Sequence, residues 1–158
     1  MRSYHNNVVW ITGASSGIGE ALAHEFANKG AMLVLAGRNV EKLNALKATL
    51  PNAEVHLVLS LDLTNLSDVA AKVDSVISQF GRVDVLVNNG GISQRSTVGE
   101  TPVDVDRKIM EVNFFAPVEL TRIAIPILRK GVSPIIVNIS SVLGHRAVPE
   151  KSEYCASK

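Results

Sequence analysis

The chain has 158 residues, of which 46% are hydrophobic and 20% are charged, and its formal net charge is +1. That size suits a single domain over residues 1–158, and a near-neutral charge without a basic stripe argues against nucleic acid as a partner. The sequence shows no signal peptide and no apolar run of membrane-spanning length, and its one cysteine, Cys155, has no internal disulfide partner. We therefore expect a cytoplasmic protein.

Short apolar runs alternate with helical patterns along the whole chain. The runs predict strands over 8–12, 32–37, 54–60, 83–88 and 133–140. The helical patterns cover 17–29, 40–49, 66–80 and 102–130. Right-handed crossovers then give an α/β fold, a doubly wound parallel sheet of order 3-2-1-4-5. Its ligand crevice is expected where strands one and four diverge, at their carboxyl ends.

The first strand runs into a turn of small residues that reads Thr12-Gly13-Ala14-Ser15-Ser16-Gly17-Ile18-Gly19. Gly13 permits backbone angles that a side chain forbids, Gly17 leaves room for a phosphate, and Gly19 lets the helix approach the strand. The free N–H groups at the helix start suit a pyrophosphate. We assign the following residues of this turn to cofactor binding: Gly13, Ser15, Ser16, Gly17, Ile18 and Gly19.

The end of the second strand predicts which dinucleotide binds. Where an NAD-binding turn carries an acid that holds the ribose, this chain has Gly37 followed by Arg38. A guanidinium binds a 2′-phosphate through charge-assisted hydrogen bonds, whereas an acid would repel it. Arg38 therefore favours NADP (NADPH). The alternative is a solvated arginine that opens the next helix.

The helix predicted over 102–130 contains a proline that matters for the site. Thr101 is expected to be its hydroxyl N-cap, with proline at the first helical position. Pro117 has no N–H and crowds the carbonyl of Asn113, which leaves that carbonyl free to hold a water. The alternative is a plain kink with the Asn113 amide facing solvent.

The last segment carries the groups for proton transfer. Ser140 and Ser141 follow the fifth strand, and Tyr154 and Lys158 share one helix face at i and i+4. A nearby ammonium lowers the pKa of a phenol, so that Tyr154 can exchange a proton with a substrate oxygen. Cys155 is predicted to be a small core residue. Four histidines lack metal-ligand spacing and are expected at the surface or as caps: His5, His24, His56 and His145.

These motifs together resemble the short-chain dehydrogenase/reductase superfamily, and within it the dehydrogenase/reductase SDR family member seven group. The resemblance rests on residues 8–19, on residues 88–96, which begin Asn88-Asn89-Gly90-Gly91, and on residues 154–158. It covers essentially the whole chain. It implies a Rossmann-like fold. It also implies an NADP-dependent oxidoreductase that passes a hydride between nicotinamide and a carbonyl or secondary alcohol of steroid, retinoid or xenobiotic type.

The resemblance further implies roles for single residues. Asp62, with its neighbour Leu63, matches the position associated with the adenine ring, although Asp62 also suits a cap for the helix expected near residue 66. Asn89 and Gly91 belong to the cofactor loop, where Gly90 replaces alanine and is expected to alter loop flexibility rather than chemistry. The implied catalytic residues are Asn113 for a relay water, Ser141 (with Ser140 as runner-up) for the substrate oxygen, Tyr154 as acid/base, and Lys158, which also holds the ribose.

Length is the main departure from the superfamily, whose members continue beyond the position of Lys158 with further strands and a substrate-binding loop. We therefore expect that a single helical turn does not hold Tyr154 in place, and that the fifth strand has an unpaired apolar edge. The 158 residues are predicted to bind NADP weakly and to turn over little, while the full-length form is expected to be a homo-oligomer. The second hypothesis is a truncated, non-catalytic NADP-binding or interaction module whose fifth-strand edge pairs with another chain.

Overall fold

The structure, a computed structural model, describes residues 3–67 and 69–158. Its strands are β1 (Val8–Thr12), β2 (Met32–Gly37), β3 (Leu57–Ser60), β4 (Val85–Asn88) and β5 (Ile135–Asn138). Its α-helices are α1 (Gly17–Asn28), α2 (Val40–Thr49), α3 (Val69–Phe80), α4 (Val103–Met110), α5 (Ala116–Leu128) and α6 (Ser152–Ser157). None of these helices is both long enough and apolar enough to cross a bilayer.

The strands form one parallel sheet in the order β3-β2-β1-β4-β5, which confirms the predicted topology. Side chains of the central strand β1 alternate between two apolar layers, as the pleat of a strand requires. Val8 and Trp10 join the layer that includes residues of α3 and α5, and Val9 and Ile11 join the layer that includes residues of α1 and α2. All five residues of β1 are buried, which explains why its sequence is a continuous apolar run.

Strand ends differ from the prediction where a left-handed residue interrupts the extended backbone. Asn52 has a φ of 54° and opens a 3₁₀ turn over Ala53–Val55, so β3 begins at Leu57 rather than at 54. Ser133 also has a φ of 54°, and β5 begins two residues after it. β4 is also shorter than predicted and covers Val85–Asn88, but residues 83 and 84 are not left-handed. Such angles are costly for residues with a Cβ, and they mark breaks in regular structure.

The predicted long helix is two helices joined by a π turn over Glu111–Phe115. The N–H of Ala116 bonds the carbonyl of Glu111, five residues earlier, and the wider turn accommodates Pro117, which has no N–H to donate. The predicted N-cap is wrong by one residue, because Pro102 occupies the cap with extended backbone and Val103 begins α4. The Thr101 hydroxyl instead donates to the Thr97 carbonyl at 2.8 Å.

Two other helix starts and ends also shift. α1 ends at Asn28, one residue before the predicted end, with Lys29 as its C-cap. α3 begins at Val69 rather than at 66, and residue 68 lies outside the described residues.

His56 corrects the expectation that the histidines lie at the surface or act as caps. Its ring is buried, with an exposed fraction of 2%, and it joins the start of β2 to the loop before β3. Nδ1 accepts from the Leu33 backbone N–H at 3.1 Å, and Nε2 lies 3.0 Å from the Pro51 carbonyl. Since Nδ1 must accept, the folded protein requires the neutral ring, and burial lowers the pKa of His56 below its usual value.

The lowered pKa makes His56 a source of acid sensitivity. In the unfolded chain the ring takes up a proton near pH 6.5, whereas the folded protein resists protonation. The stability contribution is therefore fully present above about pH 6.5 and is lost as the pH falls through the folded pKa. We expect His56→Gln, which offers one acceptor and one donor at every pH, to flatten the acid limb of the unfolding free energy.

The measurement is urea unfolding between pH 5 and pH 8, at intervals of about half a unit, for the wild type and two variants. His145→Gln serves as the matched control, because His145 is exposed. It should keep the wild-type pH profile. An acid limb that is equally steep in His56→Gln and in the wild type would show that another group causes it.

Candidate functional site

A crevice of about 310 Å³ lies at the carboxyl ends of the strands, between the loops that follow β1, β2, β3 and β4. This is the position predicted from the sheet order. The predicted cofactor-binding residues that line it are Gly13, Ser15, Ser16, Arg38, Asp62, Leu63, Asn89 and Gly91. The other predicted cofactor-binding residues do not line it: Gly17, Ile18, Gly19, Tyr154 and Lys158. Ile18 is 59% exposed on the first turn of α1.

The turn after β1 needs glycine for two different reasons. Gly17 has a φ of 59° with open space around the position of a Cβ, so the need there is conformational. Gly19 is a steric requirement, because a Cβ there would overlap the Gly13 carbonyl oxygen and lie 2.6 Å from Asn89 Nδ2. The N-cap of α1, Ser16, makes no side-chain capping hydrogen bond, so the first N–H groups of the helix are not capped by a side chain.

Thr12 joins the loops after β1 and β4, and it was missed in the sequence analysis. Its buried hydroxyl accepts from the backbone N–H groups of Asn89 and Gly90, both at 3.0 Å, and donates to the Val87 carbonyl at 3.3 Å. The Asn89 amide in turn donates to the carbonyls of Thr12 and Gly13, at 2.9 Å and 3.1 Å. A hydroxyl at the last position of a buried strand is the sequence signal for this role.

The absence of a methyl group at Gly90 has a packing consequence. A Cβ at this position would come within 2.6 Å of Leu63 Cδ1, so the Leu63 side chain fills the space that an alanine would take. Leu63 itself lines the crevice. The glycine thus alters the shape of the crevice wall, beyond the change in loop flexibility predicted from the sequence.

Charged side chains lie together at the end of the crevice near β2. Arg38 and Lys108 line it together with Asp62, whose Oδ1 accepts from the N–H and the hydroxyl of Thr64 at 2.9 Å and 2.8 Å. The Thr64 hydrogen bonds, with smaller effects of the two cations, lower the pKa of Asp62. Asp62 does not cap α3, which begins seven residues later. Lys108 was not predicted, because nothing in the sequence shows which face of α4 meets this crevice.

The Asn113 amide is buried and hydrogen-bonded, and it does not face solvent. Its Oδ1 accepts from the Ile92 N–H at 2.8 Å, and its Nδ2 donates to the Ile92 carbonyl at 2.9 Å and to Ser157 Oγ at 2.9 Å. The alternative of a plain kink with a solvated amide is therefore wrong. Asn113 connects the loop after β4 with α6, and its role towards a relay water stays a prediction.

Tyr154 and Lys158 lie on the same side of α6, as their spacing predicts. Lys158 Nζ is 5.8 Å from the centre of the Tyr154 ring and donates to the Ile139 carbonyl at 3.1 Å. A Cβ at Gly91, which lines the crevice, would lie 3.3 Å from that Nζ. Burial lowers the pKa of Lys158, because desolvation disfavours the ammonium.

The structure corrects the expectation that a single helical turn does not hold Tyr154 in place. α6 forms over Ser152–Ser157, and tertiary hydrogen bonds supply what its length does not. The Asn113 amide donates a hydrogen bond to Ser157 Oγ, and the Gln94 amide donates one to Glu153 at 3.2 Å. Cys155, predicted to be a core residue, is partly buried on this helix.

The two serines after β5 have different surroundings. Ser141 caps a short 3₁₀ turn over Val142–Gly144, where its Oγ accepts from the Leu143 N–H at 3.2 Å. Ser140 Oγ donates to the Lys158 carbonyl at 2.9 Å. Ser140, the second choice for the substrate oxygen, is thus the serine that is hydrogen-bonded to the Lys158 backbone. The assignment of the substrate oxygen to Ser141 stays a prediction.

A second, apolar cavity of about 600 Å³ lies between α5 and β5. Phe114, Val118 and Ile136 line it and are 47%, 42% and 42% exposed. β5 forms one edge of the described sheet, as predicted, with side chains that alternate between partly buried and exposed. The two cavities share Gly90, and Lys158 stands at the margin of the apolar one.

A family model described as short chain dehydrogenase matches residues 7–158. The human protein Dehydrogenase/reductase SDR family member 7 is 45% identical over 156 residues, which cover 96% of this chain and 46% of the human protein. The chain spans about half the length of the curated relatives it matches.

Two solved structures with bound dinucleotides are similar to this fold. A short chain dehydrogenase from Shigella flexneri complexed with NADP has a TM-score of 0.91 at 28% identity, and the match covers 100% of this chain and 69% of that one. A short chain dehydrogenase/reductase from Burkholderia phymatum in complex with NAD has a TM-score of 0.89 at 32% identity, with 99% and 57% covered.

Proposed function

The chain belongs to the short-chain dehydrogenase family, and from that premise we propose that it serves an NADP-dependent oxidoreductase, or is the cofactor-binding part of one. NADPH, when bound, supplies a hydride to a carbonyl, and NADP takes one from a secondary alcohol. The proposal rests mainly on one observation: a single crevice extends from Arg38 at one end to Gly91, beside Lys158, at the other.

The residues present fit a dinucleotide. The uncapped N-terminus of α1 and the open space at Gly17 suit the pyrophosphate, because backbone N–H groups and the helix dipole favour negative charge there. Ser15 and Ser16 add hydroxyl donors on the crevice wall. Asp62 and Leu63 would take the adenine ring, and Lys158 would hold the ribose next to the nicotinamide.

The preference for NADP rests on Arg38 and on the absence of an acid at Gly37. A planar guanidinium binds a phosphate through paired charge-assisted hydrogen bonds. Lys108 adds a second positive charge to the same end of the crevice. The similar structures hold NADP in one case and NAD in the other, so the choice in this chain depends on its own residues.

The proposed catalytic residues act on one substrate oxygen. Tyr154 would donate its proton when a carbonyl is reduced and take it back when an alcohol is oxidised, with Lys158 stabilising the phenolate. Ser141 would hold the oxygen by a hydrogen bond. Asn113, fixed by Ile92 and Ser157, would anchor the relay water through its backbone carbonyl.

The substrate type, a steroid, retinoid or xenobiotic carbonyl compound, follows the resemblance to the member 7 relatives alone. The homo-oligomeric state of the full-length form and the cytoplasmic location likewise remain proposals from the sequence.

A second candidate function is that of a cofactor-binding module without catalysis. The exposed apolar side chains next to the edge strand β5 favour it, since such an edge pairs readily with another chain. NADPH binding without turnover, together with self-association in analytical ultracentrifugation, is the outcome expected of this module.

Arg38→Asp should reverse the choice of cofactor. Charge-assisted hydrogen bonds contribute about 1.5–3 kcal/mol, so we expect the ratio of NADPH to NADH affinity to fall by about 10- to 100-fold in isothermal titration calorimetry. Lys42→Asp, the same change of charge at an exposed position of α2 that does not line the crevice, should leave the ratio unchanged. An unchanged ratio in Arg38→Asp would refute NADP preference.

Tyr154→Phe should separate catalysis from binding. Loss of a general acid lowers the rate by about 10²–10⁴-fold, so NADPH oxidation by the full-length form with carbonyl substrates, followed by absorbance, should fall to background. NADPH affinity should stay close to that of the wild type, because the aromatic ring remains. Turnover by Tyr154→Phe at the wild-type rate would assign the proton transfer to another group.

A further inference from the structure

Two acidic side chains meet where α4 packs on α6. Asp106 is partly buried on α4, and Glu153 is partly buried on α6, immediately before Tyr154. The two carboxyl groups lie within hydrogen-bonding range of each other. Asp106 Oδ1 is fully shielded from solvent and has no hydrogen-bond donor among the described residues. A carboxylate buried without a donor is costly, so a proton is expected at this contact.

The donors around Glu153 decide which group carries that proton. Glu153 accepts from Ser152 Oγ at 2.6 Å and from Gln94 Nε2 at 3.2 Å. These bonds lower the pKa of Glu153, Ser152 most of all, whereas burial, and then the charge of Glu153, raise the pKa of Asp106. The surroundings thus favour the ionised form of Glu153 and the protonated form of Asp106.

Other charged groups on and beside these elements are engaged elsewhere, and Lys108 of α4 lines the crevice together with Asp62. Asp104 pairs with Arg107 on α4, and Arg95 pairs with Glu150 in the loops before the helices. Lys151, next to α6, donates to Ser93 Oγ at 2.8 Å. Within the described part of the chain, Glu153 is the charged group that acts on Asp106. Nothing there neutralises a second carboxylate at this contact.

We propose that Asp106 and Glu153 share one proton and form a clasp between α4 and α6, so that they are positioning residues for Tyr154 and Lys158. The clasp adds to the other hydrogen bonds that hold α6, among them those from Asn113 to Ser157 and from Gln94 to Glu153. The bond from Asn113 to Ser157 does not titrate, whereas the clasp opens when Asp106 loses its proton and two like charges face each other. The effect on cofactor rests on the proposed function, because it acts through the placement of Lys158.

The clasp predicts that α6 responds to pH through one side chain. In carbon-detected NMR of the folded chain, Asp106 should titrate clearly above the usual range of an aspartate, about 3.5–4, and the amide signals of Tyr154 and Ser157 should follow the same curve. Asp106→Asn, whose amide donates to Glu153 at every pH, should abolish that titration of α6. Asp106→Leu should hold the α6 signals at their high-pH positions throughout.

Asp104→Asn is the matched control, because Asp104 lies on the same helix and its side chain is 93% exposed. It should leave the titration of α6 as in the wild type. An ordinary titration of Asp106, or α6 amides that do not follow it, overturns the clasp, and these results need no cofactor.

NADPH affinity provides the second readout. It should weaken by roughly threefold as the pH rises through the titration of Asp106, and this loss should be absent in Asp106→Asn. An affinity loss that persists in Asp106→Asn contradicts the positioning role. If NADPH does not bind at any pH while the α6 amides still follow Asp106, the proposed function fails and the clasp stands.

Discussion

The hydroxyl of Thr12 is the constraint on which the site depends. At the point where the chain order of the sheet reverses, the loops after β1 and β4 diverge, and this one buried group joins the end of β1 to β4 and to the loop that follows it. Asn89 completes the junction by donating to the backbone of the glycine turn. The close approach that results leaves no room for a side chain at Gly13, and it adds Asn89 Nδ2 to the Gly13 carbonyl that already excludes one at Gly19. The crevice takes its shape from this junction.

A second set of contacts connects the junction with the groups proposed for proton transfer. The loop after β4 passes from Asn89 to Ile92, where Asn113 holds its backbone, and the same amide reaches Ser157 on α6. The π turn places Asn113 between these two segments. A path of hydrogen bonds, continued by the loop backbone from Gly90 to Ile92, therefore runs from β1 to the helix that carries Tyr154. This explains how so short a helix is held.

Features governed by local chemistry could be predicted from the sequence, and features governed by distant contacts could not. The strand pattern, the sheet order and the glycine turn follow from apolar runs and small residues, and the i and i+4 spacing placed Tyr154 beside Lys158. The ring of His56 and the cation of Lys108 meet their surroundings only once the sheet is assembled. The π turn is intermediate, since Pro117 signals a disturbed helix but not its geometry. The partner of Asp106 could not be predicted either, because Glu153 lies 47 positions further along the sequence.

The most direct test of the account compares Thr12→Val with Thr12→Ser by calorimetric titration with NADPH, after equal folding has been verified by circular dichroism. Serine keeps the oxygen that accepts from Asn89 and Gly90, whereas valine leaves both N–H groups without an acceptor, at a cost of about 1–3 kcal/mol for each. If the Thr12 hydroxyl gives the crevice its shape, Thr12→Ser binds NADPH with wild-type affinity and Thr12→Val loses affinity by about tenfold or more. Wild-type NADPH affinity in Thr12→Val, or no NADPH binding by the unmodified chain, would contradict this role of the hydroxyl.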